Sequence, residues 1–317
     1  TGTLLEGADP VRYYPARDGY NEVLHYAVTP REPSERRFAA ITGEAISYLE
    51  GAVRSESPFV CMVSFSEPNT PLIAGRSTYD LYDPRKPPLP ASSGDVFESA
   101  PGLYRRGREV FAPISEREWR ELRTFYRAVV TELDAQLGRL VEVLERNHAL
   151  DDTIIIVTGD HGRYVGAHGL DAHNFGAYEE IYGVPFVCAG PGIAHGLSSR
   201  AHVSLVDLFP TLLDLTGNGS AAPDRLDGRS FADLLADPAG AAGNHESTFA
   251  EHFGTRFLVS QRVFWHGRYK LVFNGFDYDE LYDLETDPAE LSNLAGDPAY
   301  RDIHERLMGE LWDALER

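Results

Sequence analysis

The stretch Thr153-Ile-Ile-Ile-Val-Thr-Gly-Asp160-His161-Gly162 decides how the chain is read. The apolar, β-branched run from 153 to 158 is too short for a helix and suits a strand covered on both faces of a parallel sheet. It ends abruptly in an acid, an imidazole and a glycine. Ligands of open α/β sheets gather at the carboxyl ends of strands. Gly162 removes the Cβ where the chain must turn, which lets Asp160 and His161 bend toward one centre instead of pointing to opposite faces. The pair is therefore a candidate for holding a metal. The bland alternative is a strand-to-loop junction with solvated polar side chains.

Upstream, Ser115-x-x-Glu118 is a capping box. It opens a helix with Trp119, Leu122, Tyr126, Val129, Leu133, Leu137, Leu140 and Leu144 on one face. A helix leading directly into a buried strand gives the order of a parallel α/β sheet. Further upstream, Phe38, Ile41, Ala45, Ile46 and Leu49 describe another helical stripe, and a strand is expected over 59–65. Residues 83–101 are too broken by proline and glycine for regular structure and are read as a long loop.

Downstream, Val184 to Ala189 offers a further buried strand, and Ser204 with Asp207 caps a helix running to Leu215. After 237–243 the pattern changes. Short strands at 247–252, 258–265 and 268–274, the last two joined by a His266-Gly267 turn, predict a small antiparallel sheet. A last helix with Ile303, Leu307, Leu311 and Leu315 on one face is expected to cover one side of it. The fold class is α/β, a mostly parallel sheet flanked by helices, plus this carboxyl-terminal antiparallel sheet with its helix. The expected division is 1–236 and 237–317.

The chain has 317 residues, 43% of them hydrophobic and 25% charged, as in a globular protein with a sizeable core. A formal charge of -20 opposes binding to nucleic acid or another polyanion. A local positive pocket could still admit a sulfate or phosphate ester. Two cysteines, Cys61 and Cys188, both in apolar runs, give neither a disulfide framework nor a thiolate zinc site. No stretch approaches the eighteen or so apolar residues of a membrane helix. Localisation, cytoplasmic or exported, stays open, and nothing in the sequence sets an oligomeric state.

Several blocks in order extend the signal of 153–162. They are Pro58-Phe59 with Val63-Ser64-Phe65, Tyr79-Asp80-Leu81-Tyr82, Gly166-Ala-His168-Gly-Leu170, Tyr178-Glu-Glu180, Gly183-Val-Pro185, Val203 to Leu213, and Glu280-Leu-Tyr-Asp-Leu-Glu-Thr-Asp-Pro288. Together they cover most of 27–317 and resemble the sulfatase family of the alkaline-phosphatase-like superfamily. Two family features are not found: the paired aspartates of the cation site, and the Cys-x-Pro-x-Arg or Ser-x-Pro-x-Arg segment that matures to formylglycine. Residue 1 is accordingly expected to fall inside the family's catalytic domain, and the amino-terminal part of the sheet to be incomplete.

The resemblance implies a divalent cation bound by Asp160 and His161 together with acids expected upstream, where the formylglycine is also expected. Calcium is the family's usual ion; an imidazole is more at home on manganese or zinc. Two departures concern substrate contacts. Asn69 stands in Pro68-Asn-Thr-Pro71 where the family has histidine, and His173, followed by Asn174, stands where it commonly has lysine. His173 could protonate a leaving group near neutral pH. Asn69, Asn174 and His168 are candidate substrate contacts and Arg163 a candidate anion clamp. The implied reaction is hydrolysis of a sulfate ester of a small molecule or saccharide. Two alternatives stay open: a phosphodiester or phosphonate ester hydrolase of the same superfamily, and a noncatalytic sulfatase-like binding module.

Overall fold

The computed structural model describes residues 7, 9–14, 23–55, 57–172, 175–254 and 259–316. In chain order its first elements are β1 (Asp9–Tyr14), β2 (Val23–Thr29), α1 (Arg37–Ala52), β3 (Leu72–Gly75), α2 (Arg76–Tyr79), α3 (Gly102–Phe111) and α4 (Glu116–Arg146). Then come β4 (Ile155–Thr158), α5 (Glu179–Tyr182), β5 (Phe186–Ala189), α6 (Leu208–Leu215) and α7 (Ala232–Ala236). The last are β6 (Ser247–His252), β7 (Gln261–His266), β8 (Tyr269–Asn274), β9 (Glu280–Asp283) and α8 (Arg301–Leu315). Contacts divide them into two interleaved units. One comprises 1–93, 108–153 and 165–172, the other 94–107, 154–164 and 173–317.

In the first unit β2 pairs antiparallel with β1 and parallel with β3, Tyr26 lying opposite Leu72 and Thr29 opposite Gly75. Every residue of β3 is buried. The capping box forms as the sequence predicts: Ser115 Oγ accepts the Glu118 amide and Glu118 returns a bond to the Ser115 amide at 2.8 Å. The buried face of α4 differs from the leucine stripe. It carries Trp119, Leu122, Phe125, Ala128 and Val129 and then Glu132 and Gln136, while Leu133, Leu137 and Leu140 are half-buried. A carboxylate is tolerated there because it is paired. Glu132 forms an ion pair with buried Arg36 ahead of α1 and accepts the Gly75 amide at 2.8 Å, while Arg36 donates to the Ile73 carbonyl at 2.7 Å. Hydropathy periodicity cannot register a buried ion pair whose partners are 96 residues apart.

Residues 59–65, expected as a strand, run without strand pairing among the described residues. The period-two pattern is nevertheless present. Phe59, Cys61, Val63 and Phe65 are half-buried while Val60 and Met62 are 87% and 90% exposed.

In the second unit β4 and β5 form an antiparallel pair, Ile155 opposite Ala189 and Thr158 opposite Phe186. β4 is half-buried, not covered on both faces. An apolar run fixes the existence of a strand, but its neighbour and direction are set by partners elsewhere in the chain. The α/β class stands on the parallel β2/β3 pair with its helices, and the carboxyl-terminal antiparallel sheet is present with order β6-β7-β8-β9. Its fourth strand falls on Glu280-Leu-Tyr-Asp. One face carries Phe264, Leu271 and Leu281 against Leu307 and Leu311 of α8, so the last helix covers the sheet as expected. The opposite face carries Val263, Trp265 and Val272 and packs on Ala177.

Candidate functional site

β4 delivers Gly159 and then Asp160, whose side chain is 90% exposed. The His161 amide donates to Asp160 Oδ1 at 3.0 Å, and His161 Nδ1 lies 2.9 Å from the Gly162 carbonyl. A carbonyl can only accept, so Nδ1 carries the proton and Nε2 is the basic nitrogen of the neutral ring. That nitrogen lies 3.8 Å from Asp160 Oδ1. A carboxylate oxygen and a basic imidazole nitrogen at this separation can occupy two positions around one ion held at about 2.0–2.4 Å.

The turn is held from below by α5. The Gly162 amide donates to the Ile181 carbonyl at 2.7 Å. A Cβ on Gly162 would collide with the Glu180 carbonyl oxygen and sit 2.9 Å from its carbon. Glycine is required here by the close approach of α5, beyond the bend that the sequence argument supplied.

The donor set, one hard oxygen and one nitrogen of intermediate softness, fits a divalent cation and suits manganese at least as well as calcium. Among the described residues no group of three or more His, Cys, Asp or Glu side chains could hold an ion. Taken as donors, Asp160 and His161 would fill two of the roughly six positions around such an ion.

Arg163 shares this loop and is buried. His173 and Asn174 lie outside the described residues. Asn69 and His168 belong to the first unit. The Asn69 side chain accepts the Thr70 amide at 2.8 Å and its own amide donates to the Ser66 carbonyl at 3.0 Å, which stabilises the turn between Pro68 and Pro71. His168 is fully buried, its amide donating to Ser92 Oγ at 3.1 Å.

The segment around His168 stores backbone strain. Val165, His168 and Ala172 all adopt left-handed conformations, with φ of 46°, 54° and 81°. Non-glycine residues adopt such angles only where the surroundings over-determine them. Next to Ala172 is a buried contact that sequence reasoning missed: His25 Nε2 lies 2.8 Å from Asp171 Oδ2. Burial pushes the Asp171 carboxyl up to about 8, against the opposing hydrogen bonds from the Ala172 and Val165 backbone. No local signal could have paired two residues 146 positions apart.

The family described as Sulfatase matches residues 9–218, and one described as N-sulphoglucosamine sulphohydrolase, C-terminal, matches 166–317. The chain is 32% identical over 252 residues to a choline-sulfatase of Rhizobium meliloti, covering 77% of this chain and 48% of that protein. It is 29% identical over 301 residues to a multifunctional alkaline phosphatase superfamily protein of Trinickia caryophylli, covering 86% and 57%. Among solved structures, a protein in complex with its substrate D-glucosamine-2-N,6-O-disulfate is similar in fold, with a TM-score of 0.78, 22% identity, and coverage of 88% and 69%. The chain spans about half the length of the curated relatives it matches. With a family match over most of its length, laid on the motifs and strand-end pair described above, this chain belongs to the sulfatase family.

Proposed function

We propose that the protein to which this chain belongs hydrolyses sulfate esters, and that Asp160 and His161 supply part of its divalent-cation site. The observation that carries this reading is the carboxylate and basic Nε2 lying 3.8 Å apart at the end of β4. A bound cation would polarise the ester oxygens and lower the cost of charge developing on them. Asp160 brings the negative charge that a hard cation requires. The contact of His161 Nδ1 with the Gly162 carbonyl fixes the tautomer and orients the ring.

Arg163, as an anion clamp, and Asn69, His168 and Asn174, as hydrogen-bonding side chains, are assigned to the sulfate group by their sequence positions. His173 is assigned the proton for the departing alcohol, because an imidazole titrates near neutral pH. The nucleophile and the remaining cation ligands are assigned to polypeptide beyond this chain. The choline-sulfatase similarity, and the sulfated glucosamine bound by the structural relative, support a small-molecule or saccharide sulfate as substrate.

A phosphodiester or phosphonate ester is the second reading. It is favoured by Asn69 in place of the family's histidine and by the similarity to a multifunctional member of the superfamily. The full-length protein should be assayed on 4-nitrophenyl sulfate, bis(4-nitrophenyl) phosphate and a phenylphosphonate monoester under one set of conditions. The sulfate is expected to give the highest kcat/KM. A higher value on either phosphorus ester transfers the assignment to the second reading. No turnover of any of them above that of Asp160→Ala rejects both and leaves a noncatalytic binding module.

A further inference from the structure

The carboxyl-terminal sheet buries an ionic cluster that the proposed reaction does not use. Lys270 interrupts the apolar run Tyr269-Lys-Leu-Val-Phe on β8 and is fully buried. Strand register places it beside Trp265 on β7 and Tyr282 on β9. Its Nζ donates to the Ala177 carbonyl at 2.7 Å and to Glu179 Oε1 at 3.2 Å, and forms an ion pair with buried Glu290. Glu179 Oε1 also accepts the Trp265 indole N–H at 2.7 Å, and Glu290 Oε2 accepts the Glu179 amide at 2.7 Å. Glu290 reaches this position with a left-handed φ of 51°.

A buried ammonium is expensive unless it is paired and hydrogen-bonded, and apolar side chains fill a core at lower cost. The contacts made by Lys270 converge on one place, the first residue of α5 and the chain just before it. A strained carboxylate residue there requires surroundings that hold it in place. One and two residues farther along α5 are the groups that hold the 160–162 turn: the Glu180 backbone, against which Gly162 is pressed, and the Ile181 carbonyl, bonded to the Gly162 amide at 2.7 Å. The whole path, from β8 through α5 to the turn, lies within the second unit.

We infer that Lys270 and Glu290 are positioning residues for Asp160 and His161, acting through α5. Lys270 fixes Glu179 and Ala177, Glu290 fixes the Glu179 amide, and the clamped turn of helix presents the Ile181 carbonyl that sets where the Gly162 amide, and so its two neighbours, can sit. The motif ending in Asp287-Pro288, two residues before Glu290, thereby gains a function remote from its own sheet. The consequence for cation binding rests on the proposed reading of Asp160 and His161; the mechanical coupling does not.

Two measurements separate these. Lys270→Met and Glu290→Gln are made in the full-length protein, with Arg268→Ala as control. Arg268 lies in the turn between β7 and β8 and pairs with Asp283 and Glu285 instead. In hydrogen exchange, the Gly162 amide is expected to exchange at least about tenfold faster in both variants and at the wild-type rate in the control, as local opening is released without global unfolding. Manganese affinity, measured by titration calorimetry, is expected to fall about 10- to 100-fold in both and to be unchanged in the control. Wild-type exchange at Gly162 in Lys270→Met and Glu290→Gln, or equal acceleration in Arg268→Ala, overturns the coupling. Accelerated exchange in a protein that binds no manganese even as wild type upholds the coupling and rejects the cation reading instead.

Discussion

Replacing Gly162 by alanine puts a methyl group where there is no room for one. The added Cβ would overlap the Glu180 carbonyl oxygen, sit 2.9 Å from its carbon and lie 3.2 Å from the Ile181 carbonyl oxygen. All three atoms are backbone, so no side chain can rotate away. Relief requires the 160–162 turn to move off α5, which removes the 2.7 Å bond from the Gly162 amide to Ile181. That bond is worth about 1 kcal/mol net, and overpacking in a site that cannot relax costs about 1–3 kcal/mol. The sum is a destabilisation of about 2–4 kcal/mol, with the damage centred on the turn. Urea unfolding followed by tryptophan fluorescence reads it, because Trp265 is bonded to Glu179 at the start of α5. Gly138→Ala provides the contrast. Gly138 lies inside α4 and a Cβ there would meet nothing within 4 Å. That substitution should stabilise the protein by about 0.5–1 kcal/mol. A Gly162→Ala protein within about 0.5 kcal/mol of wild type, the range of an ordinary surface change, refutes the claim that α5 is pressed against the turn.

Other substitutions and conditions test the remaining contacts. Leu311→Ala removes a fully buried side chain from the core between α8 and the carboxyl-terminal sheet and should cost about 2–5 kcal/mol in denaturant unfolding; a loss under about 1 kcal/mol would mean that the helix does not seal that face. Ser115→Ala removes half of the capping box of α4 and should cost about 1 kcal/mol, with Ser115→Thr nearly neutral in the same assay. Stability should fall as the pH is raised. Burial raises the Asp171 carboxyl to about 8, above its unfolded value, so its contribution is complete below about pH 4 and is lost as the pH climbs to about 8. Thermal melts at constant ionic strength should give a higher midpoint near pH 5.5 than near pH 8.5; a flat or rising profile contradicts the burial of Asp171 as a protonated group.

What could be read from the residues was local. Ser115 with Glu118, Ser204 with Asp207, the strands around the His266-Gly267 turn and the stripe of the last helix all carry their signal within a few positions, and each formed. Signals that need a distant partner failed. The run at 153–158 announces a strand but not that β4 pairs antiparallel with β5. The run at 59–65 keeps the alternation of a strand while pairing with none of the described residues. Glu132 in the buried face of α4 makes sense only once Arg36 is beside it, and Asp171 only once His25 is. An ammonium inside the apolar run of β8 is visible in the sequence as an anomaly, but its partners Glu179 and Glu290 are brought to it only by the fold. At the candidate site, the turning role of Gly162 was legible in the sequence. The steric demand of Glu180 on Gly162, and the tautomer fixed by the Gly162 carbonyl, arise from packing that no local pattern encodes.

The central claim is that Asp160 and His161 share a divalent cation with groups from the rest of the polypeptide, and calorimetric titration of manganese and calcium into the full-length protein, beside Asp160→Ala and His161→Ala, tests it directly. Each substitution should weaken binding by at least about tenfold, as removal of a metal ligand or its close support does, and should take sulfate-ester turnover down with it. Wild-type cation affinity and turnover in both variants would contradict the assignment.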